Sequence, residues 1–306
     1  MDLMNIDFMS KRVYALTASA VLFVASVVSL VVVNLNWGLD FRGGVLVEVG
    51  FDEPKDPAEV RVLVEEAGYQ NAVVQNIGSE RDIVVRVLPV DGVDQSVVGD
   101  EIFALLEQNY SGTELLKSDY VGPAVGQDLT QQGALALLIA LLLVMVYIMF
   151  RFTGKFALGA VFALVHDIVI VAGIFSIMRW TFDLPELAAL LAVIGYSLND
   201  TIVVSDRIRE NFRAVRRGTS MDVINYSLNQ TLGRTLVTSL TTLLVLVALL
   251  IAGGEQLFGF AIALTIGVIV GTYSSIYVAA SSLLLLGIKS QELALPEKEG
   301  ATAMRS

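Results

Sequence analysis

Cysteine is absent from this sequence and histidine occurs once. Disulfide frameworks, thiolate metal sites and multi-histidine metal sites are therefore excluded. Charge is scarce as well: Asp, Glu, Lys and Arg make up 17% of the 306 residues, against about 25% in ordinary soluble proteins. No G-x-x-x-x-G-K-[ST] run is present, which removes the usual phosphate cradle of a nucleotide hydrolase. Residues 195–199 come near a G-x-S-x-G elbow but fail at its last position, and no strand pattern precedes them. The formal net charge is −11 and no basic domain stands out, so nucleic acid is not an expected partner. The expectation is a protein without cofactor or metal, and not an enzyme.

What the sequence has in abundance is apolar runs. Six are long enough to cross a bilayer, which takes about 20 residues each: 13–33, 133–150, 156–178, 187–205, 235–252 and 257–288. The first follows Lys11 and Arg12 but is too long for a signal-peptide core and lacks an A-x-A site, so an uncleaved anchor is expected. Lys11, Arg12, Arg151, Lys155, Arg207, Arg209, Arg213, Arg216, Arg217 and Lys289 fall on one side of these spans, and Arg179 alone represents the short loops of the other. The positive-inside rule then places both termini, 1–12 and 289–306, in the cytoplasm and 34–132 outside. Trp37, Trp180 and Phe182 are expected in an outer aromatic belt.

The outside stretch carries its own folding pattern: strand 45–51, helix 57–67, strands 72–77 and 83–88, helix 95–110 and strand 115–121. The order βαββαβ predicts a ferredoxin-like α+β domain between spans one and two. About three carboxylates for each Lys or Arg keep that domain soluble and away from anionic lipid. On the cytoplasmic side, 206–233 reads as an amphipathic surface helix with Ile208, Phe212 and Val215 on one face, arginines around the rest, Gly218 ending it and Ser220 capping the next turn.

Charge inside lipid is the most informative signal, because an Asp or Arg at a helix centre costs about 2.5–3.5 kcal/mol on insertion scales. Asp200 lies in the fourth span with Tyr196 and Asn199 on its face. Arg234 opens the fifth span, and Thr238, Thr241 and Thr242 extend its face. His166 and Asp167 sit mid-span in the third; a histidine side chain ordinarily titrates near neutral pH, and an aspartate can do so when desolvated. Gly267, Gly271 and Ser275 make a small-residue packing face on the sixth, with Tyr273, Ser274 and Tyr277 nearby. Asp40, Gly43 and Gly44 follow the first span, where two glycines permit backbone rotation and hence a hinge.

Several motifs accumulate: GLDFRGG at 38–44, VGPAVG at 121–126, VHDI at 165–168, IGYSLNDTIVV at 194–204, DRIREN at 206–211, TLGRT at 231–235 and GTYSSIY at 271–277. Together they resemble the SecF family, the smaller subunits of SecD–SecF protein-export complexes, from Gly38 through the sixth span. The resemblance implies a bacterial inner-membrane protein that pairs with SecD in a pseudo-symmetric twelve-helix body similar to resistance-nodulation-division transporters. It also implies that proton influx is used to assist the SecYEG channel, with YajC a further candidate partner, in the late export of preproteins. Within the family the Asp and Arg of the matching motifs belong to the proton path, and they fall on Asp200 and Arg234. The residue before that Arg is often polar in relatives, whereas here it is Gly233. Two other readings stay open: a half-size proton antiporter for small hydrophobic solutes, and a non-transporting scaffold whose charges act as interhelical glue.

Overall fold

The computed structural model describes residues 6–70, 72–89, 95–152, 154–214 and 219–288. Helix α1 (Arg12–Val32) leads through a two-residue strand β1 (Asn36–Trp37) and a one-turn helix α2 (Leu39–Arg42) into an α/β domain. That domain comprises β2 (Gly44–Phe51), α3 (Pro57–Glu66), β3 (Val73–Ile77), β4 (Ser79–Val87), α4 (Gln95–Asn109) and β5 (Thr113–Val121). The chain returns as α5 (Pro123–Arg151), α6 (Gly154–Met178), β6 (Thr181–Phe182), α7 (Leu184–Ala214), α8 (Ser220–Ala252) and α9 (Gly254–Ser274). A π-helical turn, Ser275–Ala279, joins α9 to α10 (Ala280–Leu285). Among the described residues six helices are long and apolar enough to cross a membrane, the last being the run Leu257–Leu285.

The α/β domain is a four-stranded antiparallel sheet in the order β3-β4-β2-β5. Alternation along β2 turns Val45, Val47 and Val49 to one face, where Val60 and Val64 of α3 and Val98, Ile102 and Leu106 of α4 cover them. Asp56 accepts from the Ala58 N–H at 2.8 Å and so caps α3, with Pro57 at the first helical position. The βαββαβ element order matches the sequence reading, with strand starts earlier at Ser79 and Thr113 than hydrophobicity suggests.

Three expectations change. Trp37, Trp180 and Phe182 do not form a lipid-facing belt. They meet Phe41, Phe175 and Phe258 edge-on, at centroid distances of 5.3 Å for Trp37–Phe41 and 5.4 Å for Phe175–Trp180. The parallel pair β1–β6 aligns Trp37 with Phe182 and pulls both rings inward. Second, 206–233 does not hold a separate surface helix. Helix α7 continues to Ala214 and α8 already starts at Ser220, and Ile208 and Phe212 are buried against Val223, Ile224 and Leu228. The apolar spacing was a helix–helix core, not a membrane-lying face. Val215, Arg216, Arg217 and Gly218 lie outside the described residues, as do Lys289 and the 289–306 tail. Third, the cap of α8 is Thr219, not Ser220: its hydroxyl accepts from Asp222 N at 3.2 Å while the Asp222 carboxylate takes the Thr219 N–H at 2.8 Å. Thr219→Ala is expected to lower stability by about 1 kcal/mol, read as a drop in thermal midpoint of the detergent-solubilised chain.

Arg179 and Asn34 both take positive φ, 56° and 59°. Arg179 donates to the Val33 and Asn34 carbonyls at 3.0 and 3.1 Å, satisfying the end of α1. On the opposite side, Arg151 pairs with Asp206 at 2.9 Å and Arg209 donates to the Arg151 carbonyl at 3.0 Å. The face carrying the α/β domain is called the domain side below, and its opposite the far side.

Candidate intramembrane polar site

Two carboxylates are buried at the middle of the bundle. Asp167 on α6 is fully buried and Asp200 on α7 is 9% exposed. Asp167 accepts hydrogen bonds from Ser197 Oγ of α7 at 2.6 Å and from Ser274 Oγ of α9 at 2.7 Å, both at Oδ2. Its Oδ1 lies 2.9 Å from His166 Nδ1. Asp200 accepts from Thr235 Oγ1 of α8 at 2.6 Å and, at its other oxygen, from Ser275 Oγ. Adjacent serines at the end of α9 thus address different aspartates. The π-helical turn begins at Ser275, where widened helix geometry frequently marks functional positions.

The serines have alternative acceptors. Ser274 Oγ lies 3.1 Å from the Gly271 carbonyl and Ser275 Oγ 2.9 Å from the Thr272 carbonyl. A hydroxyl has one proton to donate and two lone pairs to accept with. When a carboxylate is ionised the serine donates to it; when it is protonated the serine can turn to its own helix and accept from the acid. Each aspartate can therefore change charge without leaving a buried polar atom unpaired.

One helical turn toward the domain side, a row of hydroxyls crosses three helices. Tyr196 Oη donates to Ser239 Oγ at 3.1 Å, and Ser239 is 2.6 Å from Thr272 Oγ1, which bonds the Val268 carbonyl at 2.7 Å. Tyr196, Ser239 and Thr272 precede or follow Asp200, Thr235 and Ser275 by three or four residues on their helices, which stacks the two layers.

The predicted residues distribute unevenly around this core. Asp200, Tyr196 and Ser275 belong to it, and Ser275 does more than pack. Gly267 and Gly271 lie against Val193 and Ser197 of α7; a Cβ on Gly271 would come within 3.1 Å of Ser197 Cβ. His166 and Asp167 form their own pair, with the His166 ring stacked on Phe23 at 6.2 Å and Nε2 buried without a hydrogen-bond partner among the described residues. Arg234 lies inside α8, which begins earlier at Ser220, and with Thr238, Thr241 and Asn199 it is exposed on the outward surface. The threonine stripe is turned away from Asp200; the inward series is Thr235 and Ser239, one residue out of phase with it. Ser197, Thr235, Ser239 and Thr272 were not singled out by the sequence reading, which named Ser274 as a polar group near the small-residue face. Their only signal was spacing, Ser197 standing three residues before Asp200 and Thr235 next to Arg234.

A second acidic constellation lies where the α/β domain meets the bundle. Asp183 accepts from the Asp40 N–H at 3.1 Å, and Asp40 accepts from the Leu184 N–H at 3.1 Å. Each aspartate caps the helix the other precedes or begins, so α2 and α7 hold one another by their N-termini. Glu186 takes the Asp183 N–H at 2.7 Å. Gly43 and Gly44 follow with φ of 72° and 125°, and Gly126 of α5 leaves room for that backbone, since a Cβ there would meet Gly43 N at 2.9 Å and Phe41 O at 3.0 Å. Burial, and next the Asp40 charge, push the Asp183 carboxyl up from 3.8 to about 6, against the Asp40 N–H and the Arg86 charge. The folded junction therefore binds a proton that the unfolded chain has already lost between those values, so stability is full below about 4 and declines as pH rises through about 6. Each unit is worth at most about 1.4 kcal/mol. Asp183→Asn keeps an oxygen cap but cannot titrate, and its thermal midpoint is expected to lose that decline between pH 4 and 7.

Six membrane-length helices, a carboxylate–hydroxyl core at their centre and an α/β domain hung between the first two define a multi-pass membrane protein with a titratable intramembrane site. Comparison with known proteins makes this specific. The family described as Protein export membrane protein SecD/SecF, C-terminal, matches residues 102–289, and the SecD/SecF GG motif matches 28–55. The chain is 47% identical to the protein translocase subunit SecF of Vibrio alginolyticus, over 97% of this chain and 95% of that one, and 45% identical to that of Escherichia coli O157:H7, over 96% and 93%. Among solved structures, SecDF from Thermus thermophilus, a translocon-associated membrane protein, superposes with a TM-score of 0.84 at 36% identity over 92% of this chain. SecDF in its super-membrane-facing form superposes over the same share with a TM-score of 0.69. This chain spans only 38% of the solved SecDF chain. The chain belongs to the SecF family.

Proposed function

We propose that this chain is a proton-driven subunit of a bacterial protein translocase, working in the inner membrane with a SecD partner to promote preprotein export on the outer side. Its relatives are named translocase subunits, and a solved relative carries the matching region as 38% of a longer SecDF chain. The remainder of such a chain is the natural source of the partner. The observation that carries the proton reading is the Asp200 site: a buried carboxylate hydrogen-bonded by hydroxyls, with a further layer of hydroxyls one helical turn toward the domain side.

With the domain side outside, a proton enters along Tyr196, Ser239 and Thr272 and is taken up by Asp200. Ser275 then changes from donor to acceptor, turning its own proton to the Thr272 carbonyl, while Thr235 goes on donating to the other oxygen, which alters how α9 is held to α7. The outward surface bearing Asn199, Arg234, Thr238 and Thr241 is polar at a depth where lipid tolerates few charges, so SecD covers it and Arg234 faces a carboxylate or the departing proton there. His166 and Asp167 act through Ser197 and Ser274 on the same helices as a second titratable pair. Helix α7 carries the change to Asp183 and the Asp40 clasp, and so to the segment Asp40–Gly44 on which the ferredoxin-like outer domain turns. The differing fits to two SecDF forms, 0.84 and 0.69, support a region that changes shape. The test is reconstitution with SecD and SecYEG in sealed vesicles: completion of preprotein export should accelerate under an imposed proton gradient and lose that acceleration when the gradient is collapsed. Export equally fast in both states refutes the reading, and proton-coupled efflux of a hydrophobic dye without export would favour an antiporter.

A further inference from the structure

The far end of the polar site is closed by the chain's own N-terminal segment. Toward the far side the next hydroxyls, Thr231 and Ser227, are buried but donate to carbonyls of their own helix, and Asn211 donates to Ser227 and Gln230. Beside them Leu232, Leu228, Ile224, Phe212, Ile208 and Phe152 form an apolar cluster, and Phe8 and Met9 complete it. Met9 is fully buried and Phe8 nearly so, although neither belongs to a helix of the bundle.

The segment is held by its main chain. Asn229 Oδ1 accepts from Ile6 N at 2.8 Å while Asn229 Nδ2 donates to Ile6 O at 2.8 Å. Asn225, one turn earlier on α8, accepts from Phe8 N at 2.8 Å and Met9 N at 3.3 Å and donates to Ile6 O at 3.2 Å. Two side-chain amides at i and i+4 thus pair with the polar backbone atoms of a segment that runs into a turn. Neutral amide pairs of this kind exchange readily with water, because water offers the same hydrogen bonds. The placement is also specific. Asn229 stands six residues, about 9 Å of helix, from Thr235, and Phe8 meets Tyr277 of the π-helical turn edge-on at 6.1 Å.

We propose that Ile6–Met9 is a releasable strap, bound in a main-chain-reading clamp made by Asn225 and Asn229, and that it closes the cytoplasmic exit of the Asp200 site. A proton held at Asp200 needs water to leave, and opening the apolar cluster around Thr231 and Ser227 admits water from the far side. The strap can withdraw from that cluster without breaking a membrane-length helix. What the opening serves rests on the proton reading above; the opening itself does not.

The absence of native cysteine permits a direct test. In the full-length chain held in lipid nanodiscs, with both faces open to reagent, Leu232→Cys reports water access through the cluster to a charged, membrane-impermeant maleimide. The clamp is weakened in two ways: Asn225→Ala with Asn229→Ala, and separately Ile6→Pro, which deletes one strap N–H and leaves the bundle untouched. Labelling is expected to rise at least about tenfold in both, while Val171→Cys, fully buried on α6, stays unlabelled. Equal labelling with and without the clamp overturns the proposal, and so does labelling of Val171→Cys in step with Leu232→Cys, which would mean general loosening. No proton gradient is used, so a failed strap and a failed proton mechanism give separate results.

Discussion

Asp200→Asn is expected to leave a folded, membrane-inserted chain whose export no longer responds to a proton gradient. The two halves of that expectation have different causes. The folded half follows from the hydroxyls: an amide oxygen accepts from one of Thr235 and Ser275 as the carboxylate did, and its NH2 donates to the other. Ser275 can accept because its own proton has the Thr272 carbonyl 2.9 Å away. The net change in stability is therefore about one hydrogen bond, ~1 kcal/mol. The functional half follows from charge. A proton crossing 100 mV releases about 2.3 kcal/mol, and an amide cannot take it up, so the gradient-dependent acceleration, about fiftyfold at most for one proton, disappears. The measurement is export into sealed vesicles with and without the gradient, beside a thermal melt of the same preparation. A wild-type gradient response in Asp200→Asn would remove Asp200 from the proton path, and a collapsed melt would show the carboxylate to be structural instead.

The second large effect is expected at Gly44. Its φ of 125° is costly for any residue with a side chain, and the Val87 carbonyl of the neighbouring strand occupies the place of a Cβ. Backbone strain of about 1–3 kcal/mol adds to overpacking of about 1–3 kcal/mol, because a strand carbonyl already bound into the sheet cannot step aside cheaply. The sum is a large part of what holds a small domain folded. Gly44→Ala is expected to render the outer domain sensitive to limited proteolysis in the full-length chain. Gly68→Ala is the control: its φ is 104° but nothing lies within 4 Å of its Cβ, so only the backbone part remains. Equal protease resistance of the two variants would show that the Val87 contact relaxes freely.

Membrane spans were readable because lipid sets their length, and the βαββαβ order because alternation and 3.6-residue spacing differ. Span ends were not. Helices α7 and α8 run on past the lipid-length stretch where Ile208 and Phe212 find Val223 and Ile224, and a packed core has the same spacing as a surface helix. Asp200 was legible because charge in lipid is rare; its partners were not, because Ser and Thr in such helices ordinarily bond their own backbone. Ser275 and Thr235 reach it from 75 and 35 residues away. Arg234 drew attention to one face of α8, while the side chains that touch Asp200 lie on the next residue's face. The N-terminal strap left no trace at all, since Asn225 and Asn229 are unremarkable until Ile6 and Phe8 come to rest against them.

The π-helical turn at Ser275–Ala279 has a mechanical consequence. It houses an extra residue relative to an α-helix, and expelling that residue would screw everything beyond it through about 100° and along by about 1.5 Å. At its upstream edge sit the two serines engaged with the two aspartates. Within the turn lies Tyr277, on which Phe8 leans, and downstream lies Ile288, whose carbonyl takes the Ser220 hydroxyl at 3.0 Å. The turn is thus placed like a ratchet tooth, converting which way two hydroxyls point into rotation of a shaft, and the end of that shaft bears on the strap.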